Sequence, residues 1–479
     1  MRFTAWLLAA LIGLVPRAYG QTPGQTLPDL GGIDTVLSPQ LERRIGGDIM
    51  REIRFRDPSY LDDAEVIDYL ATLGSRLAGA RQDLEFFAIR DHTVNAFALP
   101  GGFIGVHTGL ITTAETESEL ASVLAHEISH VTQRHIARML SQQQQMQVPM
   151  MVALAAAILL GRSRPDLAIG AAAGAQAAGV QSALSYSRDF EREADRIGLQ
   201  RLDDAGFDVH AMASFFEKMQ RSTRVSEDST LPGYFRTHPV TSERIADVQN
   251  KAAAMPYRQH PDTLEFHLVR AKLRADAGDS RDAVANFESA LRERRYVTEA
   301  AARYGLVSAL LRAGRLRDAQ AELGRLRALD TTSPMIEMLD ARVKQAAGDV
   351  PGAAAVLAKA HERYPYSRAI SYAHIAALQD AGQNEAALGA LRDSLARYPR
   401  DARLYGMQAK TYAALGKRLL QHQAQGEVYA LQGSLPAAIE QLTLARSAGD
   451  GDFYQLSVVD ARLKELRAQY VAEMKDAKR

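Results

Sequence analysis

Five consecutive residues have the types and spacing of a metal-dependent hydrolytic site. His126-Glu127-Ile128-Ser129-His130 is an HExxH motif. Because an α-helix has about 3.6 residues per turn, the two histidines share a face and can point at one ion, with Glu127 beside it. This set suits a zinc ion that activates water, with Glu127 as the general base. Chance matches to the motif arise in about two chains per hundred of this length, so other residues must support it.

Zinc needs a third protein ligand, and two sources of that ligand are excluded. The chain has no cysteine, so there is no thiolate site. The extended motif HExxHxxGxxH requires glycine and histidine at two positions that hold Gln133 and Ile136, with His135 one place out of register. No role is assigned to His135, nor to His92 and His107. The third ligand is therefore expected to be an acidic residue of a later helix.

Apolar spacing predicts a helix over residues 115–140, which carries HExxH, and a polar helical segment is expected over residues 187–205. In the second helix Glu191 and Asp195 are four residues apart and share a face, whereas Glu193 lies about 200° around the helix from Glu191. We therefore expect Glu191 to bind the metal. Asp195 is then placed to accept the free N–H of a zinc-bound imidazole, which fixes its tautomer. The alternative is an exposed charged helix without a metal role.

These motifs, with N-A-F-A-L-P-G-G before them and T-H-P after them, resemble the gluzincins of the CAAX prenyl-protease and HtpX superfamily. The resemblance implies a zinc metalloendopeptidase. It implies one Zn²⁺ per subunit, bound by His126, His130 and Glu191, in an α+β zincin-type domain.

Two further segments share this resemblance. The T-H-P segment resembles one that lies near the zinc, so His238 is expected to stabilise the transition state or to occupy the fourth zinc position as an inhibitory latch. A histidine on a surface loop is the alternative. The strand Val94–Leu99 resembles an edge strand on which extended substrate is laid, and a core strand is the alternative. The L-P-G-G that ends it predicts a hairpin or a bulge.

The amino-terminal residues predict export. Residues 1–20 contain Arg2, an apolar stretch over Ala5–Val15 and small residues after it, which is the pattern of a cleaved signal peptide. The apolar stretch is shorter than the roughly 20 residues that cross a bilayer. Residues 21–38 are rich in proline, glycine and threonine and are expected to form a loose linker. The expected location is the periplasm.

A second apolar region, residues 148–183, is rich in alanine and glycine and is broken by GRSRPD. Its first part, Val148–Leu160, has only 13 residues, fewer than the roughly 20 that cross a bilayer. Packing on protein, or peripheral contact with a membrane surface, is favoured over a helical hairpin that crosses the bilayer.

The second half of the chain is repetitive. Glycines with an alanine five residues after each recur along it: Gly278, Gly314, Gly348 and Gly382. Their separations of 36, 34 and 34 residues, with glycine at the expected turn between helices, resemble the tetratricopeptide repeat. Gly433 with Ala438 repeats the pair out of step, which predicts an inserted or lengthened helix in the last unit. An ordinary α-helical domain with chance spacing is the alternative.

Composition limits the partners. Lys+Arg and Asp+Glu are both 57, so no net charge attracts a polyanion, and no nucleic-acid partner is expected. The absence of cysteine in an exported chain excludes disulfides and a lipid on an amino-terminal cysteine, which favours a soluble periplasmic protein.

The expected fold is mainly α, with a zincin-type metalloprotease domain at residues 39–255 and an all-α tetratricopeptide-repeat solenoid at residues 256–479. The signal and the repeats narrow the resemblance to the soluble periplasmic branch of the superfamily. This implies action on misfolded or misassembled outer-membrane proteins, assistance to their assembly, and contact of the repeats with the barrel-assembly machinery. One alternative is a repeat-based chaperone or scaffold with a mostly autoinhibited protease domain. Another is a membrane-integrated protease.

Overall fold

A computed structural model describes residues 37–79, 83–142, 188–225, 234 and 237–476. The predicted signal, nearly all of the predicted linker and the apolar region at 148–183 lie outside the described residues. Within the described part of the chain, no helix is both long enough and apolar enough to cross a membrane.

The first part of the described chain combines helices with a small sheet. In chain order its elements are α1 (Pro39–Arg56), β1 (Tyr60–Leu61), α2 (Ala64–Ala78), β2 (Glu85–Ile89), β3 (Ala96–Leu99), β4 (Phe103–His107), α3 (Thr108–Thr113), α4 (Glu117–Thr132), α5 (His135–Gln142), α6 (Arg188–Asp204), α7 (His210–Val225) and α8 (Ser242–Ala253).

The four strands lie in the order β1-β2-β4-β3, so β3 is an edge strand of the described sheet. β2 and β4 are parallel, and the other neighbouring pairs are antiparallel. The predicted hairpin at L-P-G-G is confirmed, since Leu99 of β3 pairs with Phe103 of β4. Every residue of β4 is buried, which places that strand in the core beneath the helices.

One helix prediction was wrong in part. The single helix expected over residues 115–140 is two helices, α4 and α5, separated at Gln133 and Arg134. Arg134 has a φ of 53°, a left-handed conformation that ends a helix. Its guanidinium donates to the Glu42 carboxylate and to the backbone oxygen of Leu37. Contacts with distant residues therefore stabilise a break that the apolar spacing does not reveal.

The second part of the described chain consists of paired helices. These are α9 (Leu264–Asp276), α10 (Ser280–Arg292), α11 (Glu299–Arg312), α12 (Leu316–Arg327), α13 (Pro334–Ala346), α14 (Val350–Arg363), α15 (Arg368–Asp380), α16 (Asn384–Arg397), α17 (Ala402–Ala414), α18 (Arg418–Leu431), α19 (Leu435–Ser447) and α20 (Phe453–Asp476). The four predicted turn glycines have positive φ values, and the alanines five residues after them are buried.

The glycine period continues further than predicted. Gly416, 34 residues after Gly382, has a φ of 70° and separates α17 from α18. Gly433 lies between two successive pairs, which explains why it is out of step. The last unit does contain a long helix, α20 with 24 residues, but α20 follows Gly433 and is not the cause of its shift.

Helix α2 connects the repeats to the rest of the described chain. On one side it packs on α4, and on the other it contacts α9 and α15. Asp68 of α2 accepts a 2.6 Å hydrogen bond from Nε of Arg368 in α15. Glu65 of α2 forms ion pairs with Lys272 and Arg342. The helix that carries HExxH also contacts the repeats directly, because Glu117 of α4 accepts a 3.0 Å hydrogen bond from the backbone N–H of Thr263, the N-cap residue of α9.

Candidate metal centre

Helix α4 brings the two histidines of HExxH together in the core. The helix begins at the N-cap residue Thr116, whose side chain accepts a hydrogen bond from the backbone N–H of Glu119. His126, ten residues after Thr116, and His130, one turn later, are buried on one face, and their Nε2 atoms lie 2.9 Å apart. Two imidazole nitrogens therefore face the same point.

Helix α6 adds two carboxylates to this point. Oε2 of Glu191 lies 3.5 Å from Nε2 of His126, and Oε1 lies 3.4 Å from Nε2 of His130. Oδ1 of Asp195 lies 2.9 Å from Nδ1 of His126, on the side of the ring that faces away from the cluster. The helices approach closely because Gly198 has no side chain, and a Cβ there would lie 3.3 Å from the backbone nitrogen of His126.

His238 lies in the cluster and is 1% exposed, so it is not a surface-loop residue. Its Nδ1 lies 2.9 Å from Oε1 of Glu191 and 3.3 Å from Nε2 of His126. Its Nε2 lies 3.3 Å from Oε1 of Glu127. The ring stacks on Tyr234, with centroids 4.8 Å apart.

Glu127 is buried beside the cluster. Burial raises the pKa of its carboxyl above the ordinary value, partly offset by the charges of His238 and His126. The backbone of Ala98 in β3 also lowers the pKa of this carboxyl. Strand β3 packs against α4. The edge strand of the described sheet therefore runs beside Glu127.

Arg244, six residues after His238, belongs to the segment that resembles one near the zinc, but the sequence assigned it no role of its own. Its Nη1 lies 2.6 Å from Oε2 of Glu191. Its Nε and Nη2 contact the two carboxylate oxygens of Asp195 at 2.9 and 2.8 Å. The signal that could have revealed it is the pair of acids itself, because two buried carboxylates on one helix face require a cation.

Arg244 lowers the pKa of both Glu191 and Asp195. Burial raises the pKa of Glu191, but the charges of His238 and Arg244 outweigh it and hold that pKa well below its ordinary value. Burial likewise raises the pKa of Asp195, and Arg244 and His126 bring it below the ordinary value. Both side chains are therefore carboxylates, the form in which they bind a metal ion or accept hydrogen bonds.

The residues present fit a metal ion. His126, His130, Glu191 and His238 each offer one ligand atom, and these four atoms lie within 4.8 Å of one another. Imidazole nitrogen and carboxylate oxygen are the ligands of zinc sites without cysteine. Two ligands on one zinc ion lie at most about 4.2 Å apart, twice a bond of about 2.1 Å. The separations of 2.9, 3.4 and 3.5 Å among His126, His130 and Glu191 satisfy that limit.

His135 also had no assigned role. It is fully buried beside His130, with their Nδ1 atoms 2.9 Å apart, and its Nε2 lies 3.2 Å from Oε2 of Glu193. Glu193, rejected as a ligand by helical phase, therefore lies away from the four-residue cluster. The structure places His107 on β4, where its Nδ1 contacts Thr93 at 3.0 Å.

Comparison with known proteins identifies the family. The family model for peptidase family M48 matches residues 62–252, and a tetratricopeptide-repeat model matches residues 274–343. The beta-barrel assembly-enhancing protease of Escherichia coli strain K12 is 31% identical over 476 residues, which cover 97% of this chain and 96% of that protein. The chain belongs to peptidase family M48.

Two other relatives of this M48 peptidase have the same level of identity. The beta-barrel assembly-enhancing protease of Yersinia pestis is 31% identical over 96% of either chain. A relative from Vibrio cholerae is 31% identical over 261 residues, which are 53% of this chain and 53% of that one. The predicted resemblance, the mainly α fold class and the assignment as a metallopeptidase are confirmed.

Proposed function

We propose that this M48 peptidase is a zinc-dependent endopeptidase of the periplasm that degrades misfolded or misassembled outer-membrane proteins and assists their assembly. One observation carries the proposal: the Nε2 atoms of His126 and His130 and the carboxylate of Glu191 converge beside the buried carboxylate of Glu127. The names of the full-length relatives support the substrate class.

His126, His130 and Glu191 would hold the ion. A zinc ion held by these residues would supply Lewis-acid chemistry that activates water and polarises a carbonyl oxygen. Glu127 takes a proton from the attacking water and passes it to the leaving amine. Burial makes this carboxylate a stronger base than an exposed glutamate, because it raises the carboxyl pKa. Asp195 holds the ring of His126 in the orientation that directs Nε2 into the cluster.

Substrate binding is proposed at strand β3. An edge strand adds an extended polypeptide through backbone hydrogen bonds and discriminates little between side chains. Because β3 packs on α4, a peptide added to this edge would pass close to Glu127. Barrel proteins that have not yet folded contain many segments that form strands, so they suit such an edge.

The two parts of the chain have different proposed roles. Residues 39–255 cleave the substrate protein, and residues 256–479 bind partner proteins. Helical repeats present extended concave surfaces for protein ligands, and we propose the barrel-assembly machinery as their partner. We propose that signal-directed export brings the chain to the periplasm.

The test is a cleavage assay with one barrel protein in two states, unfolded in urea and then diluted, or folded in detergent micelles. We expect cleavage of the unfolded state only, loss of cleavage with a chelator, and recovery when zinc is added back. Cleavage that is insensitive to the chelator would contradict the zinc mechanism. Equal cleavage of both states would contradict the substrate class.

A second candidate function is a repeat-based chaperone or scaffold with a mostly autoinhibited protease domain. The position of His238 favours it, because its ring contacts Glu191 and Glu127 together. In that case the full chain would bind the unfolded barrel protein and prevent its aggregation, and Glu127→Gln would do so equally well.

A further inference from the structure

A line of polar contacts leads from the back of His130 to the surface. Nδ1 of His130 lies 2.9 Å from Nδ1 of His135, and Nε2 of His135 lies 3.2 Å from Oε2 of Glu193. The same oxygen of Glu193 accepts a 2.8 Å hydrogen bond from Nη1 of Arg138. The line starts at a fully buried ring and ends at side chains that are 29% and 26% exposed.

Valence determines where the protons of this line lie when His130 binds a metal. A ligating Nε2 needs its lone pair, so a neutral His130 carries its proton on Nδ1 and donates it. The acceptor at 2.9 Å is Nδ1 of His135, which then carries its own proton on Nε2 and donates it to Glu193. Each of these two hydrogen bonds therefore contains one proton, and both histidines can be neutral.

Packing holds His135 in place for this arrangement. Its ring stacks on Phe190, with centroids 4.6 Å apart and an interplanar angle of 14°. The guanidinium of Arg138 covers the same phenyl ring at 4.7 Å. Phe190 is itself buried, so the imidazole of His135 has little freedom to rotate.

The two histidines of HExxH therefore differ in what supports them. Nδ1 of His126 contacts the carboxylate of Asp195 directly, at 2.9 Å. Nδ1 of His130 instead contacts the imidazole of His135, which in turn contacts the carboxylate of Glu193. The Glu193 carboxylate also lies near the surface, whereas Asp195 is buried.

We propose that His135 and Glu193 are positioning residues that fix the tautomer and the ring orientation of His130 and so set the metal affinity of the cluster. The inference rests on the proposed function, because it requires His130 to bind the ion. Groups that orient metal-bound histidines typically change metal affinity by about 10-fold to 100-fold when they are removed.

The test measures zinc affinity of the full chain by competition with a chelator of known affinity. We expect His135→Phe, which keeps the stacking on Phe190, and Glu193→Leu each to weaken zinc binding by about 10-fold to 100-fold. Glu193→Gln keeps an oxygen acceptor and is expected to remain close to wild type. The matched control is Asp189→Leu on the same helix, since Asp189 is 89% exposed and pairs with Arg192. It should leave zinc affinity unchanged.

A second measurement separates positioning from general stability. The absorption bands of the cobalt-substituted protein report ligand geometry and are expected to shift in His135→Phe and Glu193→Leu but not in Asp189→Leu. Wild-type zinc affinity in both variants, with unchanged cobalt bands, would overturn the inference alone. Absence of zinc binding by the wild-type protein would overturn the inference and the proposed function together.

Discussion

Nδ1 of His238 lies 2.9 Å from Oε1 of Glu191. The same ring reaches Glu127 with its Nε2, so one imidazole contacts both a proposed ligand and the proposed base. A group in that position competes with water and with a substrate carbonyl. We propose that His238 acts as the inhibitory latch, with stabilisation of the transition state as the alternative, and the two interpretations predict opposite effects of its removal on cleavage.

His238→Ala is expected to raise basal cleavage of an unfolded barrel protein and to weaken zinc binding. A hydrogen bond to a charged group contributes about 1.5–3 kcal/mol, so changes of about tenfold or more are expected in each measurement. Initial rates at saturating zinc and a chelator competition check the two effects separately. A fall in cleavage would instead favour stabilisation of the transition state, and no change in either quantity would exclude both roles.

Arg244→Leu is expected to destabilise the protein strongly. It would leave Glu191 and Asp195 buried without their cation, and breaking a buried ion pair in this way costs about 3–5 kcal/mol. The free energy of unfolding in urea, followed by circular dichroism in the presence of chelator, measures the loss. Zinc should restore part of it by neutralising Glu191.

Two variants control the Arg244 experiment. Arg244→Lys is expected to recover little, because an ammonium group cannot contact both oxygens of Asp195 as the guanidinium does. Arg192→Leu removes an exposed ion pair with Glu243, which solvent screens, and is expected to change the free energy of unfolding little. Equal losses of unfolding free energy in Arg244→Leu and Arg192→Leu would show that burial does not strengthen the contacts of Arg244 with Glu191 and Asp195.

The helical period explains how much of the site is visible in the sequence. It predicts that His126 and His130 share a face, and likewise Glu191 and Asp195, because such relations are local. Arg244 contacts Asp195 across 49 positions of sequence, which no period encodes. The support of His130 by His135 was missed for another reason, since it depends on the break between α4 and α5.

The fold shows the same division between local and distant causes. The turn glycines and the alanines after them predicted the helix pairs, because each pair repeats the same local contacts. The left-handed Arg134 could not be predicted, because its conformation depends on contacts with Glu42 and Leu37, more than 90 positions away. The apolar spacing continues across the break and so suggested one helix.

Gly348→Ala and Gly324→Ala are expected to change stability in opposite directions. Both glycines are exposed, and a Cβ at either would meet no heavy atom within 4 Å. Gly348 has a φ of 79°, where a side chain costs about 1–2 kcal/mol, whereas Gly324 lies within α12, where alanine gains about 0.5–1 kcal/mol. Hydrogen exchange of α12, α13 and α14 measures the change of local stability in each variant. A gain in both variants would contradict the assigned turn conformation.

The stability of the repeats is expected to fall below pH 6.5. His361 of α14 and His374 of α15 stack with centroids 4.9 Å apart. Burial lowers the pKa of each below the ordinary 6.5, helped by the charges of Arg397 and His361 respectively. The unfolded chain then binds more protons than the native one as pH falls through 6.5, so stabilisation present above that pH is lost below it.

A double variant isolates this titration. His361→Phe with His374→Phe keeps a stacked pair but removes both titrating groups. Hydrogen exchange of α14 and α15, compared between wild type and the double variant at each pH from 5 to 8, should show that protection of the wild type falls more steeply on the acid side. Parallel pH dependence in the two proteins would contradict the assigned shifts.

We propose above that Glu127 acts as the base beside a metal held by His126, His130 and Glu191. The most direct test of this proposal is one preparation of Glu127→Gln, in which zinc content and cleavage of unfolded barrel protein are both measured. The amide has nearly the same size as the carboxylate but cannot take a proton, so we expect one zinc per chain, as in the wild-type protein, and no detectable cleavage. Full cleavage by the zinc-loaded variant would contradict the account.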